Sequence, residues 1–304
     1  MNYDIVVVGS INMDVIVDVK KFPDYGHTQF AESIIMTPGG KGANQAVTAA
    51  QMDKKVCMVG KVGDDPAGNQ VISNLHNYGV DTTYLLTTET EGTGTFVAMI
   101  DETGENTMVG TMGANEAITA KEIDNIFANI DSKILLVQME TSKDSIIASM
   151  KAAKKKGMYV ILDPAPAEGI FEEAFQYCDL ILPNNQETEQ ITDIKVNSYE
   201  TAIDAAKQLN YRGVKDVIVK MGEKGLLVYK NQTPVFIESL PVKAVDTVGA
   251  GDCFAGALAS ALLNMDDLVE AARFANKAAG IKVSRTGGHQ AIPTFTEVQN
   301  YTSK

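Results

Sequence analysis

Short runs of branched aliphatic residues recur along the chain, at Ile5–Gly9, Val56–Gly60, Ile134–Val137, Tyr159–Leu162, Leu180–Leu182, Val217–Val219 and Leu226–Tyr229. None alternates with polar residues, which is the pattern of strands buried on both faces. Between most of them lie helix-like stretches, Asn44–Gln51, Asn69–Asn77, Lys143–Lys156 and Tyr199–Leu209. Strand and helix signals that alternate in this way predict a mostly parallel sheet with helices on both faces. Two stretches break the rhythm. Asp14–Met36 alternates apolar and polar residues around the turn Pro23-Asp24-Tyr25-Gly26, and Thr93–Val109 does so around Asp101-Glu102-Thr103-Gly104. These read as half-exposed antiparallel hairpins. Together they predict a small, discontinuous β lid, about residues 12–38 and 92–112, over one end of the sheet. No low-complexity linker or internal repeat divides the chain, so residues 1–304 are expected to form one α/β domain.

Composition narrows the function classes. The 304 residues are 45% hydrophobic, enough for a large core, and carry a formal net charge of −13. That charge argues against nucleic acid or an anionic membrane as the main partner. An acidic chain can still hold a nucleotide through local donors and a metal ion. Cys57, Cys178 and Cys253 have no paired spacing, and His27, His76 and His289 lack metal-ligand spacing. A disulfide framework, a zinc enzyme and a histidine-dependent hydrolase are therefore disfavoured. The first residues carry Asp4 where a signal peptide would carry basic residues, and no apolar run approaches the ~20 needed to cross a bilayer. A cytoplasmic protein is expected.

The chemistry concentrates late in the chain. Val245-Asp-Thr-Val-Gly-Ala-Gly-Asp252 precedes a run of small and apolar residues with strong helix propensity. Gly249, Ala250 and Gly251 leave backbone N–H groups open to an anion at a helix N-terminus. Asp252 would crowd such an anion, unless it takes a proton from a hydroxyl that attacks the bound phosphorus. The plain alternative is a glycine turn followed by an ordinary first-turn acid.

Other motifs carry the same double reading. Gly9-Ser-Ile-Asn12-Met-Asp14 follows the first strand but keeps only one glycine of the dinucleotide fingerprint, which disfavours a nicotinamide oxidoreductase. Asn12 and Asp14 lie two apart, on one face of an extended chain, where they can hold neighbouring hydroxyls of a polyol; turn chemistry is the rival. Thr37-Pro-Gly-Gly40-Lys41-Gly-Ala-Asn44 opens a helix and is not a P-loop. Lys41 and Asn44 are directional donors there, or else a solvated turn. Asn184-Asn-Gln-Glu187 follows a strand as a capping box, or presents Glu187 to a magnesium-bound water. Lys220-Met-Gly222-Glu-Lys-Gly225 is a hairpin turn or a backbone contact for a nucleotide. Glu140 places one more acid after a strand.

In this order the pieces resemble the ribokinase (phosphofructokinase-B type) family of sugar kinases, from about Ile5 to Pro293. Asp163-Pro-Ala-Pro-Ala167 resembles the same family. The resemblance implies a ribokinase-like fold and ATP-dependent phosphorylation of D-ribose at its 5-hydroxyl. Another pentose, deoxyribose or a nucleoside stays open as acceptor. A sugar-sensing regulator on the same scaffold is the rival of another class. By resemblance Asp252 matches the base, and Gly249, Ala250 and Gly251 the anion hole. Asn12, Asp14, Gly40, Lys41, Asn44 and Glu140 match sugar-binding positions. Asn184, Glu187, Lys220, Gly222, Gly225, Gly251 and Asn276 match positions for ATP and its Mg²⁺. Asp246, Val248, Lys282, Arg285, Gly287 and Ala291 match the ligands of an activating monovalent cation, K⁺. The family's lid often clasps a homodimer. Three positions depart: Lys220 stands where Thr is common, His27 where Glu is, and Ala291 where Ser is. Cys253, beside the anion hole, reads either as a reactive thiolate shielded by ATP or as an inert buried thiol.

Overall fold

The computed structural model describes residues 1–302; Ser303 and Lys304 lie outside the described residues. Strand β1 (Asn2–Val8) is followed by β2 (Asn12–Asp18), β3 (Ser33–Gly39) and helix α1 (Lys41–Gln51). Next come β4 (Val56–Gly63), α2 (Pro66–Asn77), β5 (Leu85–Thr88), β6 (Gly94–Ile100) and β7 (Asn106–Thr111). The middle of the chain forms α3 (Ala120–Phe127), β8 (Asp131–Val137), α4 (Lys143–Lys155), β9 (Tyr159–Leu162), β10 (Leu180–Ile181), α5 (Asn185–Thr192) and α6 (Tyr199–Tyr211). Strands β11 (Asp216–Lys220), β12 (Leu226–Lys230) and β13 (Thr233–Ile237) lead to α7 (Ala250–Ala261), α8 (Leu268–Val283) and α9 (Phe295–Asn300). Every aliphatic run of the sequence became a strand. The pattern did not foresee β5 and β13, which lie at the two edges of the large sheet; β13 carries Pro234, tolerable there because an edge residue has no second ladder to serve.

The large sheet has nine strands in the order β13-β12-β11-β10-β9-β8-β1-β4-β5. Neighbours from β11 to β5 run parallel, and β12 and β13 are antiparallel. Alternate side chains feed two separate cores. Ile5 and Val7 of β1 pack with α1, α7 and α8, whereas Val6 and Val8 pack with α3, α4 and α6. Burial on both faces explains why the strands read as unbroken apolar runs.

Strand β1 is the point where the winding reverses, with β4 on one side and β8 on the other. Open α/β sheets bind ligands beyond the carboxyl ends of their strands at such a point. Over that end lies a smaller four-stranded sheet, β3-β2-β6-β7. Each hairpin is antiparallel, and a parallel pairing of β2 with β6 joins them, with Asn12 opposite both Gly39 and Gly94. The architecture is the expected α/β one, a mostly parallel sheet with helices on both faces and a small separate β sheet.

Helix α7 is apolar on all sides and buried from Asp252 to Ala261, as expected for a helix inside other helices. It crosses α1 at Gly256, where an added Cβ would lie 2.5 Å from the Gln45 carbonyl oxygen and 2.7 Å from Thr48 Cβ. Asp252 lies one turn earlier on the same face. The crossing therefore sets the distance from Asp252 to α1. Gly256→Val is expected to cost about 1–3 kcal/mol through overpacking; a urea unfolding curve matching the wild type would contradict that crossing.

Candidate active site

The loop that enters α7 is tied down before the helix begins. Asp246 Oδ1 accepts the Val248 N–H at 3.0 Å and Oδ2 accepts the Gly287 N–H at 3.2 Å. Gly249 is the N-cap, with φ of 73°, a left-handed conformation that disfavours any side chain. The first N–H groups of the helix carry the positive end of its dipole; of the three expected anion-hole amides, the Ala250 N–H also donates to the Thr247 carbonyl at 3.2 Å.

Asp252 sits in that first turn, 8% exposed. Asn44 Nδ2 donates to its Oδ2 at 2.8 Å and Gln45 Nε2 to its Oδ1 at 3.1 Å. Burial pushes its pKa up to about 6, with Lys41 opposing and Asp163 adding to the rise. The acid is thus oriented by two amides and poised to take up a proton near neutral pH.

Strand β2 supplies a second such acid. Burial, then Glu140, raises the Asp14 pKa to about 6 against the pull of Lys41. Its Oδ1 is buried without a hydrogen-bond partner, an acceptor free for a hydroxyl. Asn12 gives its Oδ1 to Asn115 Nδ2 at 2.8 Å, which leaves its own amide N–H groups available. Lys41 pairs with Glu140 at 3.2 Å, and Ser10 Oγ donates to the other Glu140 oxygen at 2.5 Å. Burial works to lower the Lys41 pKa, but Glu140 and Asp252 outweigh it and hold the ammonium charged. The approach of α1 to the β1–β2 link requires Gly40: its φ is 92°, and an added Cβ would lie 2.8 Å from the Ser10 carbonyl oxygen.

A third layer follows the ends of β9, β10 and β11. Asp163, 1% exposed, pairs with Lys220 Nζ at 2.9 Å and accepts Gln45 Nε2 at 2.9 Å. Burial would lower the Lys220 pKa, yet Asp163 and Glu187 raise it overall. That ammonium lies 3.5 Å from where a Cβ on Gly251 would stand, so Lys220 flanks the start of α7. Glu187 and Asn184 form a reciprocal capping box, at 2.7 and 2.9 Å. Burial raises the Glu187 pKa, opposed by Lys220. Gly222 and Gly225 form the turn between β11 and β12, where Met221 N–H meets the Gly225 carbonyl at 2.8 Å. Asn276 donates to the Glu238 carbonyl at 2.8 Å, on the strand end against which Gly225 packs.

The cation-ligand set behaves differently. Ala291 is buried, Val248 is exposed, and the Arg285 side chain turns to Glu297 at 2.5 Å. Lys282 is 2% exposed, and its Nζ donates to the Asp246 carbonyl at 3.3 Å. Among the described residues no group of three His, Cys, Asp or Glu could hold a metal ion. The reactive reading of Cys253 is overturned. Its side chain is fully buried, and burial pushes the thiol up to about 12 despite the nearby Lys282.

Several residues of this site carry no role in the sequence reading. His289 has no metal-ligand spacing, yet its Nε2 lies 2.9 Å from Asn44 Oδ1 and its Nδ1 2.6 Å from Asn74 Oδ1. Burial lowers its pKa to about 4, so the ring is neutral. Because Asn44 keeps its N–H on Asp252, Nε2 carries the proton and fixes the Asn44 amide; Nδ1 is then an acceptor, which requires the Asn74 amide to turn its NH₂ towards the ring. Asp163 was visible as an acid after a strand. Gln45 and Gln138, linked at 2.5 Å, gave no signal, since a glutamine inside an apolar helix pattern, or just after an apolar strand, marks nothing by itself.

Comparisons with known proteins agree with this geometry. The model for the pfkB family carbohydrate kinases matches residues 2–294. A ribokinase of Haemophilus influenzae is 34% identical over 302 residues, covering 99% of each chain. A deoxyribokinase of Salmonella typhi is 32% identical over the same share. The structure of Arabidopsis thaliana ribokinase complexed with ribose and ATP superposes with a TM-score of 0.93 at 30% identity, over 99% of this chain and 100% of that one.

The raised pKa of Asp252 has a consequence for stability. A carboxyl whose folded pKa exceeds its unfolded value of 3.8 opposes folding once it ionises, and that penalty is absent below about pH 4 and complete above about pH 6. Asp252→Asn removes it. The variant is expected to melt higher than the wild type at pH 8, with the gap closing as the pH falls through 6 towards 4. A lower melting temperature at pH 8 would contradict the buried charge.

Proposed function

We propose, for a chain that belongs to the pfkB family of carbohydrate kinases, that it transfers the γ-phosphoryl group of ATP to the 5-hydroxyl of D-ribose, giving ribose 5-phosphate and ADP. The observation that carries this reading is one cluster of charges: Asp14, with a buried free acceptor, lies within the electrostatic reach of Glu140 and Lys41, and Lys41, paired with Glu140 at 3.2 Å, lies within that of Asp252. Asp252 in turn stands at the helix N-terminus flanked by Lys220.

In this reading Asn12, Asp14, Gly40, Lys41, Asn44 and Glu140 bind the sugar. Asp252 accepts the 5-hydroxyl proton while that oxygen forms a bond to the γ-phosphorus and the bond to the ADP oxygen breaks. Asn44, held by His289, and Gln45 keep the accepting oxygens aimed. The Gly249–Gly251 amides and the Lys220 ammonium take up charge on the phosphoryl oxygens. Asn184, Glu187, Gly222, Gly225 and Asn276 border the ATP. The donor set fits Mg²⁺: Glu187 offers a hard oxygen beside Lys220, and an ion that keeps most of its waters and phosphate ligands needs no protein cage. Bound there, Mg²⁺ would neutralise charge on the nucleotide oxygens. Potassium does not fit its expected ligands, because the Lys282 ammonium is already on Asp246; no step is assigned to it.

The small sheet leaves Ile34, Ile35 and Met36 of β3 and Met108 and Val109 of β7 exposed. An exposed apolar surface of that kind suits an interface, and we assign it to a homodimer through the lid. Val109→Asp should then elute from a sizing column at monomer size; an unchanged elution volume would refute the clasp. Cytoplasmic location fits three buried free thiols.

Asp252→Asn is expected to bind sugar and lose on the order of 10²–10⁴-fold in kcat. Sugar-dependent ADP release measures this, and near-normal turnover would refute the assignment. In the wild type kcat/KM should rise as the pH climbs through about 6, because Asp14 and Asp252 stay protonated up to that point. A profile flat down to pH 5 would contradict both. Ribose and deoxyribose run side by side decide the acceptor, and no ADP release with any sugar would favour the sensor.

A further inference from the structure

We infer that Lys282 is a built-in replacement for the monovalent cation, so that this kinase works independently of K⁺. The inference rests on the kinase reading and deepens it. Lys282 lies in the last turn of α8, where a cation also complements the helix dipole. Its side chain is 3% exposed, and its Nζ lies 3.6 Å from Asp246 Oδ2 as well as 3.3 Å from the Asp246 carbonyl oxygen. A buried ammonium persists only with such partners.

Asp246 is the joint of the region. Its carboxylate receives the N–H of Val248, on the loop into α7, and the N–H of Gly287, on the loop leaving α8. The main chain closes the same joint, since the Val283 carbonyl accepts the N–H groups of Val245 and Asp246 at 2.9 and 3.1 Å. One acid and one ammonium balance. Potassium would need the Asp246 oxygens that the ammonium uses, and would stand beside a like charge; among the described residues Lys282 is ion-paired with no second acid. Of the rest of the proposed ligand set, the Lys282 carbonyl already accepts the Arg285 N–H at 3.0 Å.

An ammonium is similar in size and charge to a potassium ion, and here it is covalently tethered. The Lys282 stem passes 3.9 Å from where a Cβ on Gly249 would stand, beside the first of the amides proposed to grip the phosphoryl group. The position of the charge is thus fixed by the fold and does not depend on ionic conditions. Lys282 is a positioning residue, acting through Asp246 on the anion hole.

The test measures sugar-dependent ADP release, the ATP dissociation constant by calorimetry and the melting temperature. Each is read in potassium, sodium and tetramethylammonium chloride at equal ionic strength, for the wild type, Lys282→Met and Lys282→Ala. The wild type is expected to stay within twofold in kcat/KM and in ATP affinity across the three salts. Lys282→Ala is expected to fall at least tenfold in tetramethylammonium and to recover in potassium or ammonium chloride. Its melting temperature should rise with potassium, while that of Lys282→Met should not. A wild-type loss beyond twofold without potassium overturns the inference, whether or not the variants fold. A folded Lys282→Ala that is equally active in all salts, or that no cation restores, overturns it too. If no sugar releases ADP in any salt the kinase reading fails, and the wild-type ATP affinity in the three salts still decides the role of Lys282.

Discussion

The rest of the structure depends on keeping one carboxylate, Asp252, oriented and reactive where little water reaches it. Two amides from adjacent positions of α1, Asn44 and Gln45, hold its two oxygens. That grip exists only because α1 and α7 meet at Gly256 without a side chain between them. Burial raises the pKa of Asp252 and works against ionisation, while Lys41 and the amides restrain the rise. A carboxylate in water would be a poor base for a sugar alcohol. In the proposed reaction, the compromise between desolvation and compensation would suit this one to take up a proton near neutral pH.

Charge in the site is arranged in alternation. Asp14, Glu140, Asp252, Asp163 and Glu187 are interleaved with Lys41 and Lys220, so that each buried ammonium has an acid in contact. A chain with a net charge of −13 can in this way approach a polyphosphate. The attraction is local, from helix amides and two lysines, and owes nothing to the long-range field. A third lysine, Lys282, stands behind the same helix and closes its charge against Asp246.

Much of the scaffold was legible because parallel strands buried on both faces must be apolar without interruption, as at Ile5–Gly9. The hairpins were legible by their alternation and their turns. The site was legible at residues on strand ends and glycine-rich turns, such as Asp14, Lys41 and Asp252, where polar groups interrupt the apolar pattern. Residues that act through other residues were not legible. His289 meets Asn44 across 245 positions of sequence, and its role exists only once the loop after α8 folds against α1. Lys282 was visible as a match to a cation ligand, but that its own ammonium reaches Asp246 was not. The helical position alone does not say which way a lysine in a final turn will reach.

Strand β2 begins at Asn12, after a three-residue link from the end of β1 in the large sheet, and runs on as a central strand of the small one. Asn12 and Asp14 are therefore part of the cover itself. Any swing of the small sheet away from the large one would carry these two side chains with it, so that on the proposed sugar-binding roles of Asn12 and Asp14, uncovering the sugar and letting go of it would be a single movement. Departure of the product then needs no separate trigger, and an acceptor too bulky to be grasped by β2 also prevents the cover from seating.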